Sequence, residues 1–111
     1  MTEAAFFSFL RSSLRQKSRR WAPIYQCLNA AKRPSKSPNK RLKWEALCAK
    51  CQGWFPLAKI TVDHILPAGS LRCFEDLAGF AKRLFCEKEG LQTLCLDCHQ
   101  IKTNEERNER N

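Results

Sequence analysis

Acidic side chains are nearly missing from the first part of this chain: residues 1–43 contain Glu3 and no other acid, against eleven Lys and Arg. Residues 44–111 hold nine Lys and Arg against ten acids, so the excess behind the formal charge of +9 lies wholly in the first segment. Such an imbalance points to a polyanionic partner, nucleic acid above others, because neutralising phosphates releases counterions whatever the base sequence. The plainer alternative is a basic face kept for solubility. Long apolar runs are also lacking. None approaches the ~20 residues of a membrane span, so no membrane partner is expected. "AAFFSFL" (4–10) is too short for a span, and Glu3 precedes it where a secretory signal carries positive charge. An Arg- and Ser-rich transit peptide is the lesser alternative. There is no internal repeat apart from two cysteine pairs, and there are only two histidines, His64 and His99.

Seven cysteines is an odd number for a disulfide framework. Pairs with two-residue spacing fit a reducing compartment and metal binding better than secretion, so the expected location is cytoplasmic. At 43% apolar and 28% charged, the composition is that of a globular chain. A chain this short buries proportionally little surface, so a bound metal is a useful staple.

Along the chain, residues 3–19 have Phe6 or Phe7, Leu10 and Leu14 on one helical face and Arg11, Arg15, Lys17 and Arg19 elsewhere. Pro23 suits the first turn of a second helix, 23–33. "PSKSPNKR" (34–41) reads as a linker. The division expected is a basic helical arm and linker over 1–43 and a compact domain over 44–111. In the latter, "LCAKCQGWF" is a tight knuckle in which Gly53 serves a positive φ or a close backbone approach. "KITVDHI" alternates as a strand ending near His64. "FEDLAGFAKRLF" has Phe74, Leu77, Phe80 or Ala81, and Leu84 at helical spacing, "LQTL" is strand-like, and residues 97–110 form a helix with Asp97 near its positive end.

Cys48-x-x-Cys51 and Cys95-x-x-Cys98 supply four thiolates, the full tetrahedral shell of a structural zinc. Buried thiols, an iron–sulfur site or two redox motifs are the alternatives; redox chemistry wants the motif at a helix start in a βαβ setting, which is not evident. The 43 residues between the pairs exceed what a zinc finger usually encloses, and they contain Asp63 and His64. Cys27, Cys73 and Cys86 have no such partner and read as ordinary thiols. His99 follows Cys98 directly. If four sulfurs satisfy the zinc, it is free to face away, since neighbours on a helix diverge by ~100°; a Cys-Cys-Cys-His set is the competing arrangement. Taken singly, Asp63-His64 is a strand-end ion pair and His99 a polar residue opening a helix.

Taken together, "VDHILPAG" followed by "LQTLCLDCHQIKT" resembles the zinc-stapled HNH endonucleases, over about residues 45–104. The small basic extension is similar, more weakly, to compact phage-encoded members. The resemblance implies an α+β fold, a ββα-metal (His-Me finger) domain, acting as a metal-dependent DNA endonuclease in the cytoplasm, a bacterial host's if phage-encoded. It implies that Asp63 and His99 hold a catalytic divalent ion, that His64 is the general base, and that products carry 5′-phosphate and 3′-hydroxyl ends. A carboxylate plus an imidazole leaves positions open for water and phosphate, which suits magnesium or manganese, with nickel or a second zinc as alternatives. A neutral histidine near pH 7 can take a proton from the attacking water. Arg11, Arg15, Lys17, Arg19, Arg20, Lys32, Arg33, Lys36, Lys40, Arg41 and Lys43 are the expected phosphate contacts.

Two positions depart from the family pattern. The Asn that braces the base-bearing loop is replaced by Gly90, leaving Glu89 or a backbone group to substitute. Thr103, one helical turn after His99, stands where some members have a third ligand. These departures sustain a rival reading, a zinc-stapled nucleic-acid-binding module that is weak or inactive as an enzyme. A protein-interaction adaptor whose basic arm binds an acidic partner is the third.

Overall fold

The N-terminal apolar stripe produces helix α1, Glu3–Ser18, in the computed structural model, which describes residues 1–110. Thr2 caps it, its hydroxyl accepting from the Ala5 amide at 3.1 Å, while Glu3 and the pair Arg15 and Lys17 complement the helix dipole at its two ends. Phe7 is the residue that the stripe buries, with Leu10 and Leu14 packed beside it. Helix α2, Ala22–Ala31, has Pro23 in its first turn, as expected.

The last two residues of the expected second helix, Lys32 and Arg33, and the stretch expected as a linker have a different role. Lys32–Pro34 forms strand β1, paired antiparallel to β2, Trp44–Leu47, with Lys32 opposite Ala46 and Pro34 opposite Trp44. Residues 35–43 are therefore the loop of a hairpin, closed by Ser35 N–H donating to Lys43 C=O at 2.9 Å. Ser35, Ser37 and Asn39 side chains each accept from an amide two residues on, the turn chemistry these residue types favour. Pro34 is tolerated because β1 is an edge strand. β2 pairs in turn with β3, Trp54–Pro56. The boundary drawn at residue 43 on charge and composition is thus crossed by a sheet.

After a short 3₁₀ turn, Leu57–Lys59, strand β4, Ile60–His64, pairs antiparallel with β5, Leu91–Cys95. Between them lies helix α3, Phe74–Leu84, with Glu75 and Asp76 in its first turn and Lys82 and Arg83 in its last. β5 runs directly into α4, Leu96–Arg110. The architecture is mixed α+β, a three-stranded sheet and a two-stranded sheet with helices around them.

Two small cores result. One joins α1 to α3 through Phe7, Leu71, Phe80, Leu84 and Ala68. Phe74, expected on the buried stripe, is instead 64% exposed at the helix start, its ring edge against Phe7 at 5.0 Å. The second core consists of Cys48, Leu94, Cys95 and Cys98, with Phe55 and Ile60 partly covering it. Leu94 is its only fully buried branched aliphatic side chain, so most of the usual hydrophobic gain of about 1.5–3 kcal/mol per large side chain is missing from this end of the molecule. Among the described residues no helix is long and apolar enough to cross a membrane.

Candidate functional site

The knuckle between β2 and β3 delivers the first cysteine pair. Cys48 N–H donates to Gly53 C=O at 2.9 Å, and Gln52 N–H donates back to Cys48 C=O at 3.0 Å. The positive φ of this turn falls on Gln52 (63°), and Gly53 serves the close approach: a Cβ there would lie 2.8 Å from the Phe55 ring. β5 delivers Cys95 at its end, and the first turn of α4 delivers Cys98, whose amide points at the Cys95 sulfur at 3.5 Å. Two bonds stitch β5 to the knuckle side, Thr93 Oγ1 to Leu47 C=O at 2.7 Å and Ala49 N–H to Thr93 C=O at 2.8 Å.

The four sulfurs of Cys48, Cys51, Cys95 and Cys98 lie within 4.8 Å of one another, and those of Cys51 and Cys95 are 4.0 Å apart. The edge of a tetrahedron with metal–sulfur bonds of about 2.3 Å is about 3.8 Å, so the set is placed to hold a metal ion such as zinc. Its electrostatics point the same way. Burial raises the Cys48 pKa, but backbone hydrogen bonds at Cys51, Cys95 and Lys50 outweigh it and bring the thiol down to about 6. Cys98 is pushed up to about 12 by the neighbouring Cys95 sulfur, by burial, and by Cys48 and Cys51. Cys51 is also raised, the lowering by the Gly53 backbone bond and by Cys98 being outweighed by the Cys48 sulfur, burial and the Cys95 sulfur. One thiolate forms readily and then opposes the rest, so full ionisation needs a cation among them.

Cys27 and Cys86 are half-buried thiols raised chiefly by burial, and Cys73 is raised by its hydrogen bond to Glu75. None of the three belongs to the cluster.

His99, one residue beyond Cys98, faces elsewhere: its Nε2 is 3.7 Å from Asp63 Oδ1 on β4. Ligands at about 2.1 Å from a common ion stand about 3 Å apart at right angles and about 4 Å apart when opposed, so this separation admits a shared ion. Thr103 Oγ1 donates to the His99 carbonyl at 2.9 Å, committing that hydroxyl to its own helix.

His64 is adjacent to Asp63 but points to a different partner, as alternate strand residues do. Its Nε2 lies 2.8 Å from the carbonyl of Leu84, one of the α3 carbonyls left without an intrahelical donor. A carbonyl only accepts, so Nε2 carries the hydrogen and the neutral ring keeps a lone pair on Nδ1. Ile65 N–H donates to Gly90 C=O at 2.9 Å, and Lys102 Nζ donates to His64 C=O at 3.0 Å. Backbone groups and Lys102 therefore hold this strand end, and the exposed Glu89 is not needed for it. A Cβ on Gly90 would sit 2.8 Å from Cys86 Sγ, which explains the glycine.

Lys102 and Glu106 are the residues that sequence reasoning missed. Lys102 Nζ is 2.8 Å from Asp63 Oδ2 and is also paired with Glu106. Burial works against the lysine's charge, but the bonds to Asp63 and Glu106 prevail and its pKa lies above the usual value. The i, i+4 spacing of Lys102 and Glu106 was legible; their meeting with Asp63 depends on how α4 crosses β4.

The expected phosphate-binding residues divide into four groups. Ser8, Arg11, Ser12, Arg15, Gln16 and Arg19 line a shallow groove of about 470 Å³ along α1, although Arg11 Nη1 is spent on Leu71 C=O at 3.1 Å and the Arg15 guanidinium lies 5.5 Å from the Phe80 ring centre. Lys17 and Arg20 line a second groove beside it. Lys36, Lys40, Arg41 and Lys43 are exposed on the hairpin loop. Lys32 and Arg33 stand apart, stacked on Trp44 at 4.7 Å and Trp54 at 3.6 Å, with Arg33 also paired to Glu45 at 2.7 Å; both are committed within the sheet. No protein-family model, curated protein or solved structure matches this chain.

Proposed function

We propose that the chain is a metal-dependent DNA endonuclease built on a zinc-stapled ββα-metal domain. The observation that carries this reading is the approach of Asp63 Oδ1 to His99 Nε2, 3.7 Å across two elements, on a helix whose preceding residue belongs to the four-sulfur cluster. β4, β5 and α4 supply the two strands and the helix that the HNH resemblance calls for, and Cys48, Cys51, Cys95 and Cys98 are the zinc ligands. A tetrahedral set of four thiolates favours zinc over hard cations.

In this reading Asp63 and His99 hold magnesium or manganese, and an ion bound there supplies positive charge to the phosphoryl and leaving oxygens. His64 acts as the base. Its Nε2–H is fixed on the Leu84 carbonyl, which leaves Nδ1 to accept a proton from the water that attacks phosphorus. The Gly90 carbonyl, through Ile65 N–H, takes over the bracing that an Asn side chain performs in the family. Arg15, Arg19 and Arg20 of the arm and Lys40, Arg41 and Lys43 of the hairpin loop hold the phosphate backbone without reading sequence.

The test is nicking of supercoiled plasmid by the zinc-loaded protein with magnesium or manganese. His64→Ala is expected to lower the rate about 100-fold or more, the usual contribution of a general base. Cleavage by His64→Ala at the wild-type rate removes the mechanism. One observation favours a second reading, a nucleic-acid-binding module without cleavage: the Lys102 ammonium already neutralises Asp63. DNA binding with no nicking under any divalent ion selects that reading.

A further inference from the structure

Lys102 and Glu106 have no part in the mechanism above, yet they occupy its centre. Lys102 Nζ lies 2.8 Å from Asp63 Oδ2, donates to His64 C=O at 3.0 Å, and is paired with Glu106 one turn further along α4. Asp63 Oδ2 is enclosed and has no well-aligned hydrogen bond, so the ammonium serves it as a counter-charge. The other carboxylate oxygen faces His99 at 3.7 Å. This is a cation site whose cation is already supplied by the chain.

We infer that Lys102 is a tethered cation that competes with the divalent ion for Asp63, and that Glu106 is the berth to which its ammonium withdraws. The charges set the direction. Asp63, Glu106 and Lys102 together carry −1, and once the ammonium turns wholly to Glu106 that pair is neutral and the −1 lies on Asp63, open to an incoming ion. The flexible lysine stem lets the ammonium leave Asp63 while staying bound to Glu106, its neighbour on the same helix face. Withdrawal also removes a donor from the His64 carbonyl, so release of Asp63 and loosening of the base-bearing strand end are one event. The site is thereby protected from weakly binding cations and opens only to an ion whose gain exceeds the lysine's. The inference rests on Asp63 and His99 being the divalent site, but not on cleavage.

The experiment is a titration of the full-length, zinc-loaded protein with manganese, free ion being followed by electron paramagnetic resonance. Lys102→Met is expected to tighten manganese binding about tenfold or more, within the 5- to 150-fold range usual for coupled sites. Glu106→Gln is expected to weaken it several-fold, because the displaced ammonium loses its berth. A structural defect would move both variants the same way, whereas competition moves them oppositely. Adding Asp63→Asn to Lys102→Met should abolish the gain. If the wild type binds manganese and Lys102→Met binds it no tighter, or Glu106→Gln is unchanged, the inference falls and the endonuclease reading stands. If neither the wild type nor Lys102→Met binds the ion, both fall together.

Discussion

Gly90→Asn restores the residue that the HNH resemblance expects, and the structure predicts that it harms the protein. A Cβ at this position would lie 2.8 Å from Cys86 Sγ and 3.1 Å from Cys86 Cβ. Turning the sulfur away does not clear the second contact, so backbone must shift. Overpacking of this kind costs about 1–3 kcal/mol. Gly90 does not have a positive φ, so the substitution recovers about 0.4–1 kcal/mol by restricting the unfolded chain. At the middle of both ranges the net loss is about 1.3 kcal/mol, or roughly 5–10 °C in Tm at the 4–8 °C per kcal/mol typical of small domains. Thermal unfolding of the zinc-loaded protein by circular dichroism measures it. Cys86→Ala alone should cost about 1 kcal/mol or less, the thiol being half-buried, and combined with Gly90→Asn it should recover the part of the loss due to the 2.8 Å sulfur contact, the Cys86 Cβ contact remaining, and so give a coupling between the two sites. Nicking should fall as well, because the Gly90 carbonyl that holds Ile65 N–H moves with the backbone. An unchanged Tm in Gly90→Asn, or no recovery on adding Cys86→Ala, refutes the steric account.

Metal analysis should find one zinc per folded chain, and Cys98→Ser or chelation should unfold the knuckle end. The ~10–16 kcal/mol such sites supply is comparable to the whole stability of a small domain, so native-like hydrogen-exchange protection of β5 in metal-free protein would argue against a staple. Replacing Arg15, Arg19, Lys40 and Arg41 by Gln should weaken duplex DNA binding and flatten its dependence on log salt by up to about 3–4, at about 0.9 per phosphate. An unchanged slope in a fluorescence-anisotropy titration would move the polyanion site elsewhere.

What the sequence disclosed follows a physical pattern. Elements with a strong period of their own were legible: the α1 stripe around Phe7, the alternation of β4, and the cysteine pairs, whose two-residue spacing is a local geometric requirement. Strand β1 was not, because Lys32-Arg33-Pro34 has no strand character and exists only through pairing with β2. The same holds for the hairpin loop, whose prolines and serines look alike in a linker and in a turn. Phe74 matched the helical period but sits at the N-terminal end of α3, where the core no longer covers it. Lys102 is not legible in the sequence because its partners are 39 and 38 residues away, Asp63 and the His64 carbonyl, and nothing local marks such a meeting.

The placing of two candidate centres on one helical turn has a directional consequence. Cys98 and His99 are consecutive, so the orientation of α4 about β5 is a single variable that both centres share. The four-sulfur cluster anchors that variable from three elements: the β2–β3 knuckle, the end of β5 and the start of α4. Asp63, His99 and Lys102 join only β4 to α4, through partly exposed side chains. Loss of the cluster's metal should therefore disperse Asp63 and His99 as well, whereas Asp63→Asn should leave zinc content untouched. In the proposed endonuclease, dependence in that one direction makes the sulfur cluster the scaffold and the Asp63–His99 pair the working end, since a centre that does chemistry must change partners while the one that positions it must not.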